Sequence, residues 1–255
     1  MLSLNSIERF VLIGIVTCSI ASKVSVATEL NHSVTNRENG STECVILLHG
    51  LARTMKSMEK LASELSQNSY FVVNTDYPSR KHEIEYLSMT YIPPAIAQCQ
   101  NAHAKPIHFV THSMGGILVR DYLKKNTIKE LGKVVMLSPP NEGSEVVDKL
   151  KKMPGFAAIN GPAGQQLGTD SNSVPVRLGP VYFSLGIITG NRTINPLLSM
   201  LIPGDDDGKV SIKRARVKGM NDFVIMPHSH SFIMSQDAVI LQTISFLQTG
   251  AFKHE

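Results

Sequence analysis

The stretch Thr111-His112-Ser113-Met114-Gly115-Gly116 is entered from the apolar run Ile107-His108-Phe109-Val110 and left through Ile117-Leu118-Val119. A β-branched run, a small-residue corner and then apolar residues at helical spacing (Leu118, Tyr122, Leu123) predict strand, tight turn and helix. Ser113 falls at the corner. A serine at a helix start ordinarily accepts a backbone N–H bond and does nothing more. The pattern G-x-S-x-G offers a second reading: a strained turn exposes the hydroxyl, and small residues two before and two after it let neighbouring backbone approach. Gly115 meets that demand, whereas Thr111 stands where the pattern has glycine. The rest of the chain has to decide between a helix cap and a nucleophile.

A serine hydroxyl is a weak nucleophile at neutral pH, so it needs a base, an acid to orient that base, and donors for an oxyanion. Serine enzymes built on a strand–turn–helix corner place these groups in the chain order Ser, Asp or Glu, His. The downstream histidines are His228, His230 and His254. His254 lies at a terminus, where chains fray. His228 and His230 both fall in the loop expected between the last strand and the closing helix. His230 leads into the apolar Phe232-Ile233-Met234, which can pin it, and is the preferred base, with His228 the alternative. Acid candidates cluster in Pro203-Gly204-Asp205-Asp206-Asp207-Gly208-Lys209-Val210. Three adjacent aspartates do not match the alternate ligand spacing of a loop calcium site. Gly208 permits a sharp turn that aims Asp207 inward, and Asp205 and Asp206 stay open. Of the two oxyanion amides, Met114 supplies the one after the serine and Leu51, beyond the strand-ending His49-Gly50, the other.

Short apolar runs at Val45–Leu48, Phe71–Asn74, Ile107–Val110, Val134–Leu137, Val181–Leu185 and Phe223–Met226 read as strands. Helical patterns lie between them: Met58–Ser66, about Glu83 to His103 with an interruption at Pro93-Pro94, the helix after Ser113, and Asp237–Gln248 at the end. That alternation predicts an α/β fold, a mostly parallel sheet of about six strands covered on both faces. Between Ser138 and Pro180 the pattern fails in a stretch rich in Gly, Pro and Asn. Loops of that length are usually functional, and a cap- or lid-like insertion is expected within about residues 141–204.

A chain of 255 residues with 42% hydrophobic content can bury one sizeable core. A net charge of +4 is too mild for a nucleic-acid binder, and no basic groove is interleaved with aromatics. The basic run Lys209, Lys213, Arg214, Arg216, Lys218 reads as a solvated face, with attraction to an anionic surface the alternative. Arg9 followed by the apolar Phe10–Ile20 suits a signal peptide over residues 1–27, cleaved after Ala27, or else an N-terminal membrane anchor. Residues 28–43 are polar and read as a flexible leader, so the folded domain is expected to span 44–255. Export makes Cys44 and Cys99 a candidate disulfide, with two buried thiols as the alternative. A monomer is expected.

Taken together, these segments resemble the α/β-hydrolase family, in particular its bacterial secreted lipase and esterase branch. Leu47–Leu51 (LLHGL) resembles the oxyanion turn of that branch, THSMGG its nucleophile elbow, Asp207–Val210 (DGKV) its acid segment and His230–Phe232 (HSF) its histidine loop. Ser138–Asp148 (SPPNEGSEVVD) is similar to a P-H-x-G-S segment of secreted triacylglycerol lipases, with Asn141 in place of the histidine. The resemblance spans about residues 44–248. It implies a minimal α/β-hydrolase fold lacking the early antiparallel strands. It also implies hydrolysis of carboxylic esters, small-molecule or lipid, through an acyl-enzyme on Ser113, His230 and Asp207, with no cofactor or metal and with peripheral membrane contact at most. Acyl transfer by the same residues, or ligand binding without catalysis, are the competing readings.

Overall fold

In a computed structural model that describes residues 42–254, the chain alternates strands and helices. In order these are β1 (Cys44–Leu48), α1 (Glu59–Gln67), β2 (Phe71–Thr75), α2 (Ile84–Asn101), β3 (Ile107–His112), α3 (Met114–Lys125) and β4 (Leu131–Leu137). There follow α4 (Glu145–Leu150), α5 (Phe156–Gln165), α6 (Val174–Leu178), β5 (Leu185–Arg192), α7 (Pro196–Ser199), α8 (Ile212–Ala215), β6 (Asp222–Ser229) and α9 (Asp237–Thr249). The six strands form one parallel sheet in the order β2-β1-β3-β4-β5-β6. The expected signal peptide or anchor and most of the expected leader lie outside the described residues. The leader's last two residues belong to the fold, because the Thr42 and Glu43 carbonyls accept bonds from the Lys105 and Phe71 amides.

Successive strand residues face opposite sides of the sheet, and both sides here are apolar. Cys44, Ile46 and Leu48 of β1 join a core shared with α2 and α3, while Val45 and Leu47 join a second core with α1 and α9. Double-sided burial explains why the inner strands read as continuous apolar runs rather than as alternating ones. Cys44 and Cys99 are joined by a disulfide that ties β1 to α2.

Two expectations are corrected. Pro93 and Pro94 do not interrupt α2, which runs through both. The carbonyls deprived of their N–H partners belong to Met89 and Thr90, both exposed, so water can satisfy them. The fifth strand is not Val181–Leu185 but Leu185–Arg192. A side chain at Gly186 would strike the rings of Phe246 and Phe252, whose aromatic cover the strand needs, so a glycine that reads as loop is a requirement of the strand. The stretch from Ser138 to Pro180, where a cap- or lid-like insertion is expected, carries α4, α5 and α6.

Candidate active site

Ser113, Asp207, His230 and Leu51 all lie beyond the carboxyl end of a strand, where open parallel sheets bind ligands. Ser113 follows β3 directly, and its backbone is strained, with φ 53° and ψ −121°. A side chain at Gly115 would lie 2.5 Å from the Leu48 carbonyl oxygen, so α3 can start this close to β1 only with glycine there. Ser113 makes no side-chain cap to α3. Its hydroxyl instead lies 3.0 Å from His230 Nε2. His230 Nδ1 lies 2.8 Å from Asp207 Oδ2. A carboxylate only accepts, so Nδ1 carries the proton and Nε2 is left to accept from Ser113.

Asp207 is almost wholly buried. Burial alone would raise its carboxyl, but the His230 charge and hydrogen bonds from the ring and the Val210 amide outweigh that and hold it below the usual carboxylate range. Asp207 Oδ1 accepts from the Lys209 and Val210 amides at 3.0 and 2.9 Å. Ser138 Oγ lies near the same carboxylate without closing a hydrogen bond to it in this geometry. Asp206 serves the turn instead, accepting from the Gly208 amide and Ser199 Oγ, and Asp205 is exposed. His228 belongs to β6 rather than to the following loop, and His254 pairs with Asp222.

Leu51 and Ser113 line one cavity of about 450 Å³ together with His230. Met114 opens α3, so its amide is one of the first-turn donors that have no acceptor within the helix. His49, before the Leu51 turn, stacks on Tyr77 with ring centroids 4.0 Å apart, and the Tyr77 hydroxyl donates to the His49 carbonyl. The turn is therefore braced from the segment that follows β2. Most of the apolar wall of the cavity comes from the 139–180 stretch: Val146, Val147, Leu150, Met153, Phe156 and Leu167. Asn141 does not face the chemistry. It is buried, donating to the Ala215 carbonyl and accepting from Arg120.

No family model and no curated protein matches the chain by sequence. Solved structures match it by shape. The mature lipase BlEst2 of Bacillus licheniformis superposes with a TM-score of 0.61 at 18% identity, covering 84% of this chain and 94% of that one. Phospholipase PlaB from Legionella pneumophila gives 0.66 at 16%, covering 83% of this chain and 60% of that one. An esterase from Thermogutta terrifontis gives 0.55 at 14%, covering 83% and 92%. The chain has the α/β-hydrolase fold.

On this fold, three site residues escaped the sequence reading. His112 is buried beside Ser113, and its Nε2 donates to the His230 carbonyl at 2.9 Å. Burial and the His230 charge push its pKa well below the usual histidine value, so it is a neutral strut. Arg53 donates to the Ser231 carbonyl at 2.9 Å and lines the cavity. Lys209 also lines the cavity and so stands apart from the basic run to which it was assigned. In that run Arg214 is taken up by Glu145, and Arg216 lies over the Phe223 ring.

Proposed function

We propose that this α/β-hydrolase cleaves carboxylic esters through an acyl-enzyme. The supporting observation is the continuous path from Ser113 Oγ through His230 to Asp207, at 3.0 and 2.8 Å, opening into an apolar cavity. In this reading His230 Nε2 takes the hydroxyl proton as Ser113 Oγ bonds to the ester carbonyl carbon. The carbonyl electrons move to oxygen, where the amides of Leu51 and Met114 hold the oxyanion. Collapse of that intermediate breaks the bond to the alcohol, which leaves with the proton from His230. Water repeats the sequence on the acyl-serine and releases the acid. Asp207 holds the imidazole in the required tautomer and stabilises the imidazolium, remaining a carboxylate throughout. The segment within 141–204 shapes the acyl pocket, and the Cys44–Cys99 disulfide supports export to an oxidising compartment.

The test is a panel of p-nitrophenyl esters from acetate to palmitate, run alongside labelling with a fluorophosphonate. Turnover, together with a single label on Ser113 that is absent from Ser113→Ala, is the expected result. A folded chain that neither labels nor turns over any ester overturns the reading in favour of a binding protein. Adding a competing alcohol and analysing products separates hydrolysis from acyl transfer.

A further inference from the structure

The cavity wall is apolar on the side of the insertion, yet two cations stand in it. Arg53 is half-buried and Lys209 is exposed, and both line the cavity. Neither forms an ion pair with a described carboxylate. Burial and the charge of Arg53 lower the Lys209 ammonium, while Asp207 partly opposes this. Two like charges lining one cavity with no counter-ion repel each other, and an anion between them relieves that repulsion. Nor are they held there for packing alone: Arg53 spends one Nη2 bond on the Ser231 carbonyl, and no hydrogen bond from the Lys209 ammonium is closed within the described residues.

Their position tells which part of an ester they would meet. Arg53 is anchored one residue after His230, and Lys209 follows Asp207 by two. Both line the cavity with His230, and the charges of both reach His112, which holds the His230 carbonyl. Beside the imidazole that hands its proton to the departing oxygen they would flank the alcohol, leaving the acyl chain to Val146, Leu150, Phe156 and their neighbours. We infer that Arg53 and Lys209 form an anion subsite, and that the ester cleaved here joins an apolar acyl chain to an alcohol bearing a phosphate or carboxylate. A guanidinium fork and an ammonium are suited to such oxygens. This rests on the ester-hydrolase reading above.

Two readouts keep the inference and that reading apart. Binding is measured to Ser113→Ala with octanoylglycerol phosphate, O-octanoyl glycolate and neutral octanoylglycerol, each below its micelle concentration. Hydrolysis of the same esters is measured with the unaltered chain. The anionic esters should bind and turn over on the order of tenfold or more better than the neutral one at low salt, with the ratio shrinking as salt rises. Arg53→Gln combined with Lys209→Gln should bring the ratio close to one, and Arg53→Lys should keep part of it. The phosphate and glycolate arms tell which anion fits, and the hydrogen suberate ester of ethanol, charged on its acyl side, should gain nothing. A binding ratio near one in the unaltered pocket, or one that survives the double substitution, overturns the anion subsite. Selective binding without any hydrolysis would leave the subsite standing and sink the ester-hydrolase reading instead.

Discussion

At the scale of single residues, Ser113 has the backbone of an elbow and none of the hydrogen bonds of a cap. On the proposed mechanism, Ser113→Ala should lower kcat/KM on the order of a million-fold while urea unfolding stays close to that of the unaltered chain. His230→Ala should come near the same loss, and His228→Ala should keep substantial activity. Asp207→Asn should cost about ten-thousand-fold, because the amide leaves the ring in the wrong tautomer, whereas Asp205→Asn should change the same rate little. The chain order Ser, Asp, His and the small residue at 115 were legible because each follows from what an elbow and a proton relay require. The choice among three adjacent aspartates was not. It is made by the turn, in which Asp206 captures the Gly208 amide, Gly208 adopts φ 99°, and Asp207 is turned inward. His112 carried no spacing signal at all, since its partner carbonyl lies 118 residues further along.

At the scale of elements, five of the six strands could be read: β1, β3 and β4 because burial on both faces leaves an unbroken apolar run, and the part-exposed edge strands β2 and β6 because they keep β-branched and aromatic residues. β5 was misplaced by the same logic: its glycines dilute the run, and the β-prone Val181-Tyr182-Phe183 just before it is a connection in which Tyr182 is 91% exposed. The short helices α4 to α6 have little periodicity of their own and are held by tertiary contacts. Chief among these is Arg120 on α3, buried, donating to the carbonyls of Asn141, Pro175 and Gly179 at 2.7, 3.2 and 2.6 Å. Burial, partly offset by Glu142, draws its guanidinium down to about 10, so it stays charged at neutral pH. Arg120→Met keeps much of the volume but strips three carbonyls of their donor. At about 1 to 3 kcal/mol for a buried group left unsatisfied, unfolding in urea should show a loss of several kcal/mol. Turnover of long-chain esters should fall more than turnover of acetate, because the acyl wall is what loosens.

At the scale of the whole molecule, two features tune stability. The disulfide closes a loop with a sequence separation of 55. Chain-entropy reasoning gives about 4 kcal/mol for that length, so urea unfolding with and without reductant should differ by several kcal/mol, and Cys44→Ala/Cys99→Ala should match the reduced protein. Acid is the second control. Burial lowers the pKa of His49, His108 and His112, against partial support from Asp76 for the first and Glu43 for the second. Unfolded, these rings take up protons near pH 6.5, while in the fold they stay neutral to lower pH. Below that value the unfolded chain binds more protons, so stability falls as pH falls, by up to about 1.4 kcal/mol per pH unit for each ring. Unfolding free energies measured from pH 7 to pH 5 should show this slope, and His112→Gln should flatten it by one ring's share.

The loop that carries His230 is gripped almost entirely by its main chain. His112 takes the His230 carbonyl, Arg53 that of Ser231, and the His230 amide reaches back to the Asp207 carbonyl. The Phe232 side chain is 52% exposed and closes none of these bonds. Positions 231 and 232 are thus open to heritable variation that leaves His230 in register, and on the proposed function a library randomised at these two codons should retain many members that hydrolyse p-nitrophenyl esters. Matched libraries at 112 or 207 should be nearly barren. Descendants of this chain can alter the two residues after His230 without loosening that main-chain grip.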